Sequence, residues 1–365
     1  MKKKINWWTV KFGRQEINEI SKSIMNKNIS QGLQTKKFEK KIANILKKKY
    51  VTATVNGTTA ILMSMMVAGV KEGDEIIIPN RNWIACVNAA YLLKTKIILV
   101  DCLPDKQVVD VDELEKKINK KTKIIILTYL NGTSIDIERI KKTIKKKKSK
   151  ALIIEDSAQA LISKNPNTKK YLGTNSFAGC FSLSVSKIIA TGQGGFIVSN
   201  DKKSYDALQI FRTHSTKDIN LPKFDKFGFN FRYNDILSSF GLVQLEKLNS
   251  NRLRAIEIYK NYVNKLKHIK KIKFLHIDYK NGEVPVYVEA IVKKRRSFVK
   301  YLNRYGIYPR LFYKSMNNVT YLKNNEKFKN SDNFEKNGIY FPSGPGLKPK
   351  DQEYVIKKTI EYFKG

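Results

Sequence analysis

Lys187 and Asp156, thirty-one residues apart, are the two side chains of this chain whose types and settings combine most directly into chemistry. Asp156 ends the apolar run ALIIED, which reads as a buried parallel strand. Such a strand delivers its carboxylate at the carboxyl end, where α/β folds keep their chemistry. Lys187 follows the Ser-rich strand CFSLSVSK and precedes TGQGG, a glycine cluster that lets backbone pass close to a bound group. A buried lysine can form a Schiff base, and an aspartate can pair with a pyridinium nitrogen. Together they are the minimal equipment of a pyridoxal-phosphate enzyme. Alone, Asp156 serves equally well as a helix cap.

Other residues fit around the same ligand. Asn56-Gly57-Thr58-Thr59 lies between a strand and an apolar helix opened by Thr58 or Thr59. Backbone N–H groups there, with Gly57 allowing close approach and Thr58 adding a hydroxyl, make a phosphate seat. An ordinary N-cap after a turn accounts for the same four residues. Trp83, after the strand DEIIIPN, is either a platform for a ring or a core tryptophan. Gln159 leaves the strand end of Asp156 three residues later, so one can meet a ring nitrogen and the other a ring hydroxyl. Ser182, five residues before Lys187, can bond the same ligand.

The elements that position these residues are legible as a rhythm. From residue 35 to about 245, the runs DEIIIPN, KIILVD, TKIIILTYL and ALIIED alternate with helical patterns such as TKKFEKKIANILKKKY. That alternation predicts an α/β fold with a mainly parallel sheet covered on both faces. IEIYKNYVNKLKHIKKIKF begins a long helix that leads into a smaller α+β region. There VPVYVEAIV reads as a strand, SFVKYLNRYGI as a helix ended by Gly306, and EYVIKKTIEYFKG as a closing helix. The expected division is a large domain over residues 1–249 and a small one over 250–365, since 365 residues exceed one compact core.

Composition narrows the class. Hydrophobic content of 42% marks a globular chain, and no apolar run approaches the ~20 residues of a membrane span. MKKKINWWTV is basic but has neither an apolar signal core nor a cleavage site, so a cytoplasmic location is expected. Cys86, Cys102 and Cys180 are far apart in apolar settings, as reduced thiols would be, with no zinc-like spacing. The formal charge of +38 raises nucleic acid as a partner. The excess is lysine spread from Lys2 to Lys364, without the arginine and aromatic clusters that bind bases, and so implies a solvated surface and no nucleic-acid partner.

Taken jointly, the motifs resemble the sugar aminotransferases of the DegT/StrS type, a branch of the fold-type I pyridoxal-phosphate enzymes. The likeness runs from about residue 12 to 362: NISQGLQTKKFEKKIA, NGTTAILMSMMVAGVKEGDEIIIP, IIEDSAQA, GCFSLSVSK, TGQGGFIVSND, GFNFRYNDILSSFGLVQLEKL and GIYFPSGPGLKPKD. The resemblance implies that Lys187 carries the cofactor and shuttles the proton, while Asp156 keeps the ring nitrogen protonated. It gives Gln159 the ring hydroxyl, Trp83 the ring face, and Gly57, Thr58 and Ser182 the phosphate. Asn230 would reach the phosphate of a neighbouring subunit, making a homodimer the smallest active unit, and Arg232 and Tyr313 would face the substrate. Gly192-Gln193-Gly194-Gly195 is similar to the run in perosamine-synthase-like members acting at C4. LFYKSMNN departs from the Phe-Tyr-Pro-Met-His element of those relatives, with Asn317 about where the histidine falls. The implied reaction moves an amino group from L-glutamate to a nucleotide-linked 4-keto-6-deoxy sugar, in polysaccharide precursor synthesis such as that of O-antigen. Two alternatives are a small phosphorylated ketone as acceptor and a silent regulatory relative. The second would have lost Lys187 or Asp156.

Overall fold

The structure, a computed structural model, describes residues 4–364; Met1–Lys3, part of the N-terminal segment read above, and Gly365 lie outside them. Seven strands form the main sheet. Their spatial order is Tyr50–Thr54, Gly195–Ser199, Ala178–Ser182, Leu152–Asp156, Thr122–Thr128, Glu75–Pro79 and Lys96–Val100. Gly195–Ser199 runs against its two neighbours, and the remaining pairings are parallel. Of the strands that read as apolar runs, Glu75–Pro79, Thr122–Thr128 and Leu152–Asp156 are buried on both faces, while the edge strand Lys96–Val100 is half-buried at Ile97 and Ile98. Ile76, Ile78, Ile124, Ile126 and Ile154 meet the helices Gly57–Val67 and Ile84–Leu92 on one side. Ile77, Ile125, Leu127 and Ile153 meet Val111–Lys117 and Ile137–Lys146 on the other. Period-two alternation is what divides them.

A smaller antiparallel sheet has the order Arg310–Leu311, Gly338–Phe341, Val288–Val292, Ile272–Phe274. The helices Leu248–Leu266, Arg295–Arg304 and Pro349–Lys364 pack over it. The long helix read from Ile256 therefore starts earlier and stops at Leu266. Its last residues, Ile272–Phe274, pair with Ala290–Val292 instead, because ladder bonds satisfy that backbone where a basic, weakly periodic helix would not. The closing helix also starts early, at Pro349, a residue whose missing N–H costs nothing in a first turn. Gly306 ends Arg295–Arg304 as expected, at φ +73°.

Two long-range ties frame the site. Ile5–Asn6 pairs in parallel with Ile307–Tyr308, which brings Trp7 and Trp8 beside the small sheet. Asp235 accepts hydrogen bonds from the backbone N–H groups of Gly32, Gln34 and Thr35, capping the helix Leu33–Leu46 from 200 residues away. All three cysteines are buried and free, and among the described residues no helix is long and apolar enough to cross a membrane.

Candidate active site

Asp156, Ser182 and Thr128 end parallel strands, Gly57 follows another, and Trp83 follows a fifth, so all five reach one edge of the main sheet. There they line a cavity of about 310 Å³ together with Thr58, Gln159, Lys187 and Tyr313. Of the ten side chains singled out in the sequence, eight converge on it.

Lys187 sits on a loop held from several directions. The loop is closed by Leu183 N–H to Gly194 O (2.8 Å) and Thr191 N–H to Leu183 O (2.9 Å). Trp8 Nε1 donates to Val185 O, the Tyr287 hydroxyl to Ser186 O, and Asn251 Nδ2 to Ile188 O, each at 2.9 Å. Ile188, Ile189 and Ala190 anchor it in the core. Lys187 itself is half-buried rather than buried, and its ammonium makes no hydrogen bond among the described residues. The result is a rigidly based amine with a free head in a cavity.

The carboxyl of Asp156 is 3% exposed, and burial pushes its pKa up. Two donors counter that only in part: Ala158 N–H at 3.1 Å and the Cys86 thiol at 3.3 Å. It caps no helix, since a turn follows it. Its neighbour Glu155 points to the other face and pins the 173–176 turn through Gly173 N–H, Asn175 N–H and the Ser176 hydroxyl. Gln159 accepts the Asn131 N–H with its Oε1 (2.8 Å), which leaves its amide NH₂ without a partner among the described residues.

The helix expected to open at Thr58 or Thr59 opens at Gly57, because Asn56 is its cap. Asn56 Oδ1 accepts Thr59 N–H at 2.8 Å, and the Thr59 hydroxyl returns a bond to Asn56 O. Thr59 is spent on the cap, and the Thr58 hydroxyl stays free at the cavity. Gly57 suits a close approach: a Cβ there would crowd Ser182 Cβ at 3.0 Å. The last glycine of the cluster serves the same seat. A Cβ at Gly195 would strike the Asn56 carbonyl carbon at 2.5 Å and Gly57 N at 2.7 Å.

Trp83 is no core residue: it is 46% exposed, with Tyr313 edge-on at 5.4 Å. Tyr313 is half-buried with its hydroxyl oxygen fully enclosed and without a partner, and desolvation raises its pKa, so it remains a protonated donor. Its wall is held from behind by buried Arg81, which donates to Tyr313 O (2.8 Å) and Ser315 Oγ and lies 4.7 Å from the Tyr313 ring. Asn317 does not line the cavity; it is tied to Asn80 by Asn80 Nδ2–H to Asn317 Oδ1 (2.9 Å) and Asn317 N–H to Asn80 Oδ1 (2.8 Å). Asn230 and Arg232 also lie outside the cavity of their own chain. Asn230 is exposed, and its Oδ1 accepts Arg232 Nε–H at 2.9 Å. Sequence reasoning missed Trp7, Tyr129, Tyr287, Arg310 and Tyr340, which also line it. The paired tryptophans at 7 and 8, isolated from any helical or strand pattern, were the one available signal.

Behind the wall, Glu289 is buried and its carboxyl is pushed up to about 7 by burial, which Gln107, Asn131 and Arg81 only partly offset. A carboxyl raised on folding stabilises fully below the ordinary carboxylate range, and that contribution is lost as pH rises through about 7. Glu289→Gln is therefore expected to raise stability near pH 8 by up to about 3 kcal/mol and to change little near pH 5. Thermal unfolding of both proteins across that range checks it.

These residues fit pyridoxal phosphate. A buried carboxyl without a full cation partner suits a pyridinium N–H. A helix N-terminus with the free Thr58 hydroxyl and the unspent Ser182 hydroxyl proton suits a phosphate. A free amine at Lys187 suits an aldehyde.

Comparisons with known proteins agree. The profile of the DegT/DnrJ/EryC1/StrS aminotransferase family matches residues 11–359. A GDP-perosamine synthase of Escherichia coli O157:H7 is 30% identical over 92% of this chain and 91% of its own length. Among solved structures, an aminotransferase of Helicobacter pylori involved in pseudoaminic acid biosynthesis superposes with a TM-score of 0.92 at 23% identity, covering 99% of this chain and 100% of that one. A Streptococcus pneumoniae protein solved in its PLP form gives 0.92 at 22% identity, covering 100% and 99%.

Proposed function

The chain belongs to the DegT/DnrJ/EryC1/StrS family of pyridoxal-phosphate-dependent sugar aminotransferases, and from that premise we propose that it aminates a nucleotide-linked 4-keto-6-deoxyhexose with L-glutamate as donor. The observation that carries this reading is one cavity holding both a free lysine amine and a buried carboxyl short of a cation. When bound, pyridoxal phosphate supplies an aldehyde that takes up the amino group and a ring that draws electron density from the carbon losing its proton. Asp156 keeps the ring nitrogen protonated by lying against it with a carboxylate that gains a cation. Gly57, Thr58 and Ser182 hold the phosphate, Gln159 donates its free NH₂ to the ring hydroxyl, and Trp83 covers one ring face. Lys187 Nζ accepts the Cα proton of the donor in the first half-reaction. It delivers a proton to the former carbonyl carbon of the sugar in the second.

The test is incubation with isotope-labelled glutamate and 4-keto-6-deoxyhexoses linked to GDP, UDP or dTDP, followed by mass spectrometry of the nucleotide sugar. Label in the sugar supports the proposal; 2-oxoglutarate without labelled sugar from any of them sinks the acceptor. A second reading, a small phosphorylated ketone as acceptor, is favoured by the 311–317 segment, where Asn317 is tied to Asn80 and does not line the cavity.

The proposed unit is a homodimer in which Asn230 meets the phosphate bound by the neighbouring subunit; its exposure outside its own cavity leaves it free to do so. Two inactive variants, Lys187→Ala and Asn230→Asp, are then expected to rescue each other on mixing. In a mixed dimer one site collects both lesions and the other none, so about a quarter of wild-type activity is the ceiling. Subunit exchange without any recovered activity would place the site within one chain.

A further inference from the structure

Arg310 is a cation in the cavity that no carboxylate among the described residues pairs with. It lies on the two-residue strand Arg310–Leu311, opposite Tyr340, and two short pairings fix it: Arg310 with Tyr340, and Ile307–Tyr308 with Ile5–Asn6. The second pairing brings Trp7 alongside. The guanidinium carbon lies 4.7 Å from the Trp7 ring centre, 5.6 Å from Trp83 and 6.0 Å from Tyr340. Half-buried and lining the cavity, the side chain makes no hydrogen bond or ion pair among the described residues. Aromatic rings engage a guanidinium through its faces and leave its in-plane N–H fork unused. A partly desolvated fork with no acceptor has a clear chemical complement: a planar carboxylate taken by two parallel hydrogen bonds. A second free donor stands close by. Trp83, one neighbour of Arg310, has the Tyr313 ring edge-on at 5.4 Å, and the buried Tyr313 hydroxyl is also without a partner.

We propose that Arg310, braced by Trp7 and Trp83 and assisted by the Tyr313 hydroxyl, is the anchor for a carboxylate of the amino donor. This rests on the aminotransferase reading above and adds to it the residue that holds the donor by a carboxylate. It explains why the cation comes from the small sheet. That sheet contributes Arg310 and Tyr340 to the same cavity as Lys187 and Asp156, so a carboxylate held there keeps the donor within the cavity that holds the lysine.

The test is calorimetric titration of the cofactor-loaded protein with glutarate, an unreactive dicarboxylate, and separately with GDP. Wild type, Arg310→Met and Arg310→Gln are compared, with cofactor content read by absorbance. The expected result is that Arg310→Met retains cofactor and GDP affinity but binds glutarate roughly 30-fold or more weakly, the scale for removing one partner of a buried charge pair. Arg310→Gln, which keeps a flat donor group, covers the case in which the methionine variant does not fold, and is expected to lose glutarate affinity as well. Unchanged glutarate affinity in the variants, a loss confined to GDP, or no glutarate binding by wild type would each overturn the proposal. If the wild-type protein takes up no cofactor at all, the failure belongs to the aminotransferase reading instead.

Discussion

Lys187→Ala is expected to abolish transamination while leaving the fold and reversible cofactor binding in place. The base of the loop does not depend on the ammonium. Trp8, Tyr287 and Asn251 hold its backbone carbonyls, and Ile188 to Ala190 hold it in the core. Nor does the free head contribute hydrogen bonds whose loss would unfold the site. What disappears is the amine that takes the cofactor covalently and, among the described residues, the only lysine lining the cavity that can move the Cα proton. Positioned proton transfer alone accounts for ~10²–10⁴ in rate, and covalent capture adds to it. Borohydride reduction followed by peptide mapping should place the pyridoxyl group on Lys187 in wild type and nowhere in the variant. A label on another lysine, or a variant with wild-type turnover, removes Lys187 from the mechanism.

The residues most readable from sequence were those whose neighbours in the chain determine their place. Asp156 follows an apolar run that can only be a buried strand, and Gly57 opens a helix directly after another strand, so both positions on the sheet edge follow from local pattern. Arg310 illustrates the opposite case. Its surroundings are set by a two-residue strand, a proline and a pairing with Ile5–Asn6 some 300 residues earlier, and no periodic signal spans so short an element. The glycine cluster lay between these cases. That backbone passes closely there was legible, but what passes is Asn56–Gly57 of the same chain, a tertiary contact. The boundary of the helix Leu248–Leu266 was misread because strand pairing at Ile272–Phe274 overrode a lysine-rich stretch of neutral propensity.

Asp156→Asn is expected to separate stability from function, with opposite signs. In the cofactor-free protein the wild-type carboxyl is buried, pushed up by that burial, and served only by one N–H and one thiol. A carboxyl raised on folding costs stability once pH exceeds its folded value, so the neutral asparagine should be at least as stable as wild type near pH 8 and the difference should vanish in acid. Loaded with cofactor, the order reverses. Asparagine can still bond the ring nitrogen, but it does not favour the protonated ring, and the electron demand on the reacting carbon falls. Removing one member of a buried charge pair costs about 2–5 kcal/mol, which at ~1.4 kcal/mol per tenfold is a rate loss of roughly 30-fold to several thousand-fold. Thermal unfolding of the apo proteins and single-turnover rates of the loaded ones measure the two effects separately. A variant that loses stability in the apo form and keeps its rate when loaded would make Asp156 a structural carboxylate, held for its bonds to Ala158 and Cys86, and would move the electron-demanding chemistry elsewhere in the cavity.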